Sequence, residues 1–598
     1  FGPTKVADLS PALREHALAE TAGFTSEDLV GHLVGLGEYL AMYLFVWSDV
    51  PWPATGTALP AFAEVANYFA SREPGIFSEL GYRQVRYEDA KAIDAQTART
   101  QDFRSKLGAV RRALANIPSY MIFDDHEVTD DWNMTRRICT GIYGSDLGLR
   151  VVQNALTAYA VCQHWGNVPA QFDTRQVHLP GAKLLLQLDG LDAAGHVAAG
   201  AALRHLLGIH DPTALAARHP FAVFHDADAL EYHYTVEGPS HQVIVTDSRS
   251  WRSFPRGAEE GGDLIPASEL QRQIAGSTPT GDRIPIVVLT TNAPPVIPIR
   301  MATVHSDLAN TFEHYPDVFE AWELPSAATD RLYRAISEKL PLASGRRRGA
   351  ALILSGDVHF SFASRLLYSG TARFEDPASA TQGVRAVFAQ LVASSFRKQT
   401  GSTLGFHTDG YLYSPNAAAA HFIPNTLEVE YYIGWNVPRG TSTVVGRTTG
   451  FGGWKDLAIK GPRTFRVEPT IAASRPVDYG YRLDYLSASN ESAIAFTTRP
   501  VPPVPPGATL EERMRAIGAF HAATGNYRLY KAGNTTKRQV VGTNNLGEIT
   551  FDGASAAHRS VNHTLRWFDP KTRSPMFTTY VVSLDPDDPN FPMPAGVP

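Results

Sequence analysis

An α/β fold is what this sequence predicts, and three observations carry the prediction. Met121-Ile122-Phe123 runs into Asp124-Asp125-His126-Glu127, so an apolar stretch delivers a burst of polar groups. Ala351-Leu-Ile-Leu-Ser-Gly-Asp-Val-His359 repeats the arrangement far along the chain. Each reads as a buried strand with ligand-type residues at its C-terminal end. Between and around them, helical and strand-like stretches alternate, which suits a parallel sheet with helical crossovers.

Residues 9–47 read as helical. Ser10-Pro11 is an N-cap followed by proline at the first helical position, and Thr25-Ser26-Glu27-Asp28 offers a second capping signature. Gly23 is expected to end the first helix, and Pro51-Trp52-Pro53 to break the second. Further helices are expected over Leu59–Ser71, Ala90–Ala115 and Leu147–Gln163; Ile117-Pro118 stops the long one and leads into a strand at Tyr120–Phe123. Residues 180–220, rich in alanine and leucine, read as insertions on the core. Strands follow at His241–Asp247, Ile284–Asn292, the Ala351 stretch and Val387–Ser395, with a crossover helix at Thr329–Leu340.

Beyond about residue 405 the composition shifts toward Gly, Thr, Tyr and Asn. Leu427–Ile433 alternates as a half-exposed strand does, and Arg499–Gly507 is a proline-rich spacer. Thr509-Leu-Glu-Glu512 opens a helix ending at Gly525. Short strands are expected at Tyr527–Tyr530, Gln539–Val541, Glu548–Phe551, Val561–Phe568 and Met576–Leu584, with Asn544–Gly547 as a turn between two of them. The expected domains are a core over 1–445 and a β-rich accessory region over 446–598.

The 598 residues, 44% hydrophobic and 19% charged, have ordinary globular composition and suffice for two or more domains. A net charge of -6 gives no reason to expect a nucleic-acid or membrane-surface partner. Arg346-Arg347-Arg348 reads as a solvated run before a strand. Cys139 and Cys162 cannot make a disulfide framework and read as two buried thiols. Leu29–Trp47, with His32 and Glu38 inside it, reads as a buried helix and no membrane span. A cytoplasmic location is slightly favoured, with export open if a signal lies upstream of Phe1.

Asp124, Asp125, Glu127, Asp130 and Asp131 place five carboxylates beside His126 within eight residues. Their mutual repulsion calls for a counter-charge, and a divalent or trivalent cation is the obvious one, a solvated acidic turn being the bland alternative. In extended chain Asp357 and His359 would point to one side of the sheet, and Gly356 would allow a positive φ or a close approach. The two strand ends are expected to share one site, with Asp125 and His359 gripping common cations. Arg249, near Asp247, would either clamp a phosphate oxygen or pair with Asp247; Thr290–Asn292 would line the site. His225 and His233 read as satisfied or exposed histidines before they read as ligands.

Phe123–Asn133 together with Leu354–His359 resembles the PhoD-like (alkaline phosphatase D) branch of the calcineurin-like metallophosphoesterases. Val245–Arg252 and Leu391–Ser395 support the resemblance, which spans roughly residues 30–400. It implies a layered sheet sandwich flanked by helices and a metal-dependent phosphomonoesterase or phosphodiesterase acting on a small phosphorylated substrate. It implies two metal ions (Fe, Ca, Mn and Zn are not distinguished), with Asp125, Asp357 and His359 as ligands. His126 would be the imidazole that protonates the leaving alkoxide, Arg249 a further catalytic group, and Asp124 and Glu127 orienting partners.

The sequence departs from that pattern in one respect. The family's early ligands, an Asp-x-His or Asp-x-Gly strand end and a Gly-Asp-x-x-Tyr type motif, do not occur in residues 1–120, and its N-terminal β-domain is missing. Gly281-Asp282-Arg283-Ile284 comes too late to replace them. One expectation is that the chain is the C-terminal portion of a longer polypeptide, with weak two-metal binding and little activity alone. The alternative is a degenerate site in a catalytically inactive, metallophosphoesterase-like binding protein.

Overall fold

The computed structural model describes residues 11–26, 29, 31–54, 56–61, 64, 87–189, 200–255, 262–291, 322, 327–371, 383–394, 396–399, 403–404, 407, 429–437, 441–448, 479–492, 538–552, 560–569 and 574–593. The expected helices at Leu59–Ser71 and Thr509–Gly525, the proline-rich spacer and the strand at Tyr527–Tyr530 lie outside these residues, wholly or for the most part. The chain forms two compact units, Phe1–Tyr232 with Arg249–Gly262, and His233–Ser248 with Asp263–Pro598.

The first unit is mainly helical. Helix α1 (Pro11–His16) continues through a π-helical turn, Ala17–Thr21, and stops at Gly23, whose φ of 65° suits glycine. The Gly23 and Phe24 amides then cap the Ala19 and Leu18 carbonyls. Helix α2 spans only Leu36–Trp47, so the expected start at Thr25 is corrected. Its first turn is closed instead by Glu38, whose Oε2 accepts the Val34 and Gly35 amides at 2.8 and 2.9 Å. Thr25 and Ser26 spend their hydroxyls elsewhere, on the acidic stretch described below.

Helix α3 (Tyr87–Asn116) is close to the expected one; at 30 residues it runs about 45 Å. Two short helices follow, α4 (Arg136–Tyr143) and α5 (Asp146–Tyr159), capped by the Thr135 and Ser145 hydroxyls. Helix α5 continues through a π-helical turn at Ala160–His164 to Asn167. In residues 180–220 lie α6 (Pro180–Leu188), α7 (Gly200–Leu206) and α8 (Pro212–Ala216). Strands β1 (Phe221–Val223) and β4 (Arg252–Phe254) pair antiparallel as a small ribbon. Phe123, Trp132, Ile138, Val151, Leu156, Tyr159 and Tyr232 are among the residues of one apolar core. Cys139 is buried there, its thiol pushed up to about 12 by burial, whereas Cys162 is only partly buried, which corrects the expectation of two buried thiols.

Among the described residues, the second unit carries a mixed sheet of eleven strands. Its parallel centre is β3 (His241–Val245), β5 (Ile284–Val288), β7 (Arg346–Ser355) and β9 (Gly383–Val392), all close to expected strands. Between β5 and β7 lies helix α10 (Ala327–Ser337), the expected crossover; α9 (Ala267–Leu270) precedes β5. Antiparallel neighbours extend the sheet: β2 (Tyr234–Glu237) on one side, and β8 (Ser361–Gly370), β12 (Tyr479–Tyr485), β10 (Val429–Val437) and β11 (Thr441–Thr448) on the other. Short strands β6 (Leu342–Ala343) and β14 (Val540–Val541) pair with β7 and β8.

Residues alternate across this sheet as the strand period requires. Ala351, Ile353, Phe388 and Tyr368 pack with Leu332, Tyr333 and Ile336 of α10. Leu352, Ala389 and Leu391 face the other way, toward Val561, Leu565, Trp567 and Tyr580. Those last residues belong to an antiparallel sheet of β13 (Asn490–Glu491), β15 (Asn545–Phe551), β16 (Ser560–Asp569) and β17 (Ser574–Ser583). The chain is therefore mixed α/β. The expected domain limit at 445 falls inside β11, and the expected turn at Asn544–Gly547 is corrected: Asn545 opens β15. Its buried carboxamide bonds to the Thr543 and Ser394 carbonyls, at 2.8 and 3.2 Å, and to the Ser361 hydroxyl, which fixes the strand start.

Candidate metal and catalytic site

Each unit holds part of the residue set that the sequence singles out. In the first unit the expected strand at Tyr120–Phe123 is not a strand; it is an extended segment outside any sheet. Its polar backbone is satisfied by a side chain. The Asn167 carboxamide accepts the Met121 amide at 2.9 Å and donates to the Met121 carbonyl at 2.7 Å, replacing the strand neighbour that is missing. Phe123, fully buried, anchors the segment edge-on to Trp132, Tyr159 and Tyr232.

From Asp124 the chain coils into consecutive turns. The Asp125 carbonyl accepts the Val128 and Thr129 amides, and its carboxylate accepts the His126 amide at 3.0 Å and the Asp131 amide at 2.7 Å. One buried side chain thus closes the loop at two points. Asp131 and Asn133 stand at φ of 63° and 60°, a left-handed region that Asp and Asn enter more readily than other residues with a Cβ. The Asn133 carboxamide donates to the Arg249 carbonyl at 3.0 Å. Thr135 caps the following helix, its hydroxyl accepting the Ile138 amide at 3.2 Å.

Arg249 is fully buried, and its Nε donates to the Asp124 carboxylate at 2.6 Å. Its Nη2 also reaches Asp124, and lies 3.3 Å from Asp125. Arg249 thus forms ion pairs with Asp124 and Asp125. Glu127 accepts the Asp124 amide at 2.8 Å. Burial pushes the Glu127 carboxyl up to about 7, against the pull of that hydrogen bond, and the charges of Asp124 and Asp125 add to the rise. Tyr43 is pushed up as well, by burial first and by Glu127 second.

His126 is exposed, with Nε2 at 3.7 Å from the Asp130 carboxylate. Ligand atoms of Asp125, His126 and Asp130 lie within 4.8 Å of one another, the one such group among the described residues. Carboxylate oxygens with one imidazole form a donor set for a hard or borderline cation. The turns are held from outside by residues that sequence reasoning had assigned to a helix cap. Thr25 donates to the Asp131 carboxylate at 2.6 Å, and the Ser26 hydroxyl accepts the Asp130 amide at 3.1 Å. The signal was the Thr-Ser pair itself, whose hydroxyls cap a free N–H wherever one is offered.

His225 is spoken for: its Nδ1 lies 2.7 Å from the Leu230 carbonyl, and its ring stacks on Trp251 at 4.9 Å.

In the second unit Asp357 and His359 follow β7, but not in extended chain. Both have positive φ, 69° and 58°, and the Val358 amide bonds back to the Gly356 carbonyl at 2.9 Å. That bond makes Asp357 the centre of a γ-turn of the rare, strained hand. The expectation that an alternating strand aims both side chains is therefore corrected. Gly356 has no positive φ, and a Cβ there would meet only the Ser394 hydroxyl at 4.0 Å. The turn is pinned instead by Ser394, whose hydroxyl accepts the His359 amide at 3.1 Å. Thr290 is buried and its hydroxyl bonds to that of Ser248, while Asn292 lies outside the described residues.

Comparisons with protein-family models, with curated proteins and with solved structures find no match to this chain.

Proposed function

We propose that the chain is a metal-dependent phosphoesterase, hydrolysing a small phosphomonoester or phosphodiester. The observation that carries the reading is the convergence of Asp125, His126 and Asp130 ligand atoms within 4.8 Å, next to the buried Arg249–Asp124 pair. The resemblance to PhoD-like enzymes supports it and adds Asp357 and His359 as ligands. The donors fit a hard or borderline cation, since Asp125 keeps a lone pair beyond the two amides and the Arg249 guanidinium it accepts. A bound cation supplies polarisation of a phosphoryl oxygen and a water of lowered pKa. Asp125 and Asp130 hold the charge. With a cation held by Asp125 and Asp130, the exposed His126 imidazole would stay unligated beside it and, when protonated, donate to a departing alkoxide. Arg249, through Asp124 and Asp125, fixes where those carboxylates stand.

The alternative, a metallophosphoesterase-like binding protein without turnover, has one observation in its favour. Arg249 is fully buried and engaged by Asp124, so it is withheld from a phosphate oxygen.

Metal titration by calorimetry with Mn²⁺ and Ca²⁺, paired with hydrolysis of p-nitrophenyl phosphate and bis-p-nitrophenyl phosphate, tests the proposal. Metal binding and turnover lost together in Asp125→Ala and restored in neither assay by added metal is the expected result. Metal binding without turnover selects the binding protein. No metal binding by the intact chain overturns both. The same titration on Asp357→Asn and His359→Ala chains decides whether these two are ligands.

A further inference from the structure

The run Arg346-Arg347-Arg348 does not precede the strand but forms the first part of β7, with Arg348 exposed. Arg346 and Arg348 share one face of that strand, since side chains alternate. The parallel register sets Arg348 beside Arg385 of β9, and Arg346 beside Gly383. Like charges in register repel, so the sheet carries a local cost here. Gly383 offers no side chain, and a Cβ there would sit 3.5 Å from the Arg346 side chain, which occupies the space. Burial and then the Arg348 charge hold Arg346 below its ordinary value; burial and then both neighbours do the same to Arg385.

An acidic segment lies over these guanidiniums. Asp587 pairs with Arg348 and accepts Arg385 Nε at 2.9 Å, and the Pro586 carbonyl accepts Arg385 Nη2 at 3.2 Å. The segment is anchored on both flanks by other residues. Arg365 donates to the Ser583 and Asp585 carbonyls at 2.9 and 2.6 Å, and Arg482 to the Pro592 carbonyl at 2.6 Å. Phe591 packs under both, with its ring centroid 4.5 Å from Arg365 and 5.4 Å from Arg482. Between those anchors the Asp587 side chain is 52% exposed and can swing away without unpinning the segment.

We propose that Arg346, Arg348 and Arg385 form a binding site for a diphosphate-type anion, and that Asp587 is its built-in competitor. Among the described residues Asp587 pairs with Arg348 and Arg385 but not with Arg346, whose Nη2 donates to the Ser369 hydroxyl at 3.2 Å, and with Asp585 acting on Arg385 from nearby the three guanidiniums still outnumber the two carboxylates. Guanidinium forks bind phosphate oxygens in bidentate pairs, and a diphosphate brings more charge and more acceptor oxygens than a carboxylate does. The Arg348–Asp587 pair is largely solvent-exposed, and exposed ion pairs are weak, so a stronger anion can displace Asp587. The site lies at the start of β7, about 30 Å along the strand from Asp357, and is independent of the metal-binding proposal.

Calorimetry on the full chain in buffer containing EDTA, with methylenediphosphonate as the probe, tests it. EDTA removes any metal route, and the probe cannot be hydrolysed. Binding is expected in the unaltered chain, at least five-fold tighter in Asp587→Asn, and at least ten-fold weaker in Arg348→Gln/Arg385→Gln. Equal affinity in Asp587→Asn, or binding in neither it nor the unaltered chain, overturns the proposal. Undiminished binding in the double arginine variant overturns it as well. Circular dichroism checks that this variant folds; if it does not, Asp587→Asn alone decides.

Discussion

Arg249 Nε donates to the Asp124 carboxylate at 2.6 Å across 125 residues of sequence, and the arginine is wholly buried. Removing one member of such a pair leaves the other's charge uncompensated. Arg249→Met is therefore expected to destabilise the first unit by about 3–5 kcal/mol. Arg249→Met/Asp124→Leu should recover part of that loss. Urea unfolding followed by tryptophan fluorescence checks both, and equal stability of the single and double variants would refute the pairing.

Glu127 gives a pH signature. Its folded-state carboxyl titrates near 7, above the ordinary value of 4.5, so the folded chain binds more protons than the unfolded one between those values. The destabilisation is absent below about pH 4.5. It grows as pH rises through the window and is complete above about 7. Glu127→Gln should match the unaltered chain near pH 4.5 and exceed it in stability by roughly 2–3 kcal/mol above pH 7. Thermal melts across that range in EDTA measure the difference; a gap that does not widen with pH contradicts the assignment.

The Asn167 carboxamide stands in for a strand neighbour at Met121, accepting its amide and donating to its carbonyl, to which the Tyr159 hydroxyl also donates at 3.4 Å. Asn167→Ala removes its bond to each of these groups and should cost about 1–3 kcal/mol. Hydrogen exchange at the Met121 amide should speed up by an order of magnitude or more, and unchanged protection would show that another group holds this segment.

Asp357 and His359 carry strain that glycine would relieve. Asp357→Gly, at a φ of 69°, should raise the stability of the chain by about 1 kcal/mol, unusual for a loss of side chain. If Asp357 is a ligand, the same variant loses metal affinity, and stability and binding move in opposite directions. Melting temperature and metal titration on one preparation separate the two effects.

The sheet was legible in the sequence because its central strands are continuous apolar runs ended by turn residues. His241–Val245, Ile284–Val288 and the Ala351–Ser355 part of β7 fall where hydrophobic length and β-branching place them, whereas the basic start of β7 at Arg346–Arg348 does not. Tyr120–Phe123 misled because a short apolar run before a polar turn looks the same whether its backbone is met by a sheet or by an asparagine from a distant helix. The candidate site was legible as composition: Asp124, Asp125, His126 and Glu127 are neighbours in sequence and in space. Thr25, Ser26 and Asn167 were not, since each is an ordinary polar residue until a backbone group from elsewhere is brought to it. Positive φ at Asp357 and His359 was beyond reach as well, because aspartate and histidine leave that choice to their surroundings.

The π-helical turn at Ala160–His164 sets the phase of everything beyond it on that helix. An ordinary α-helix advances about 100° per residue, so deleting a single residue from the wide turn would swing Asn167 through that angle and carry its amide off Met121. The orientation of the acidic loop is thus geared to one surplus residue in a helix that holds none of the loop's carboxylates. Length changes there are expected to be far less forgiving than substitutions.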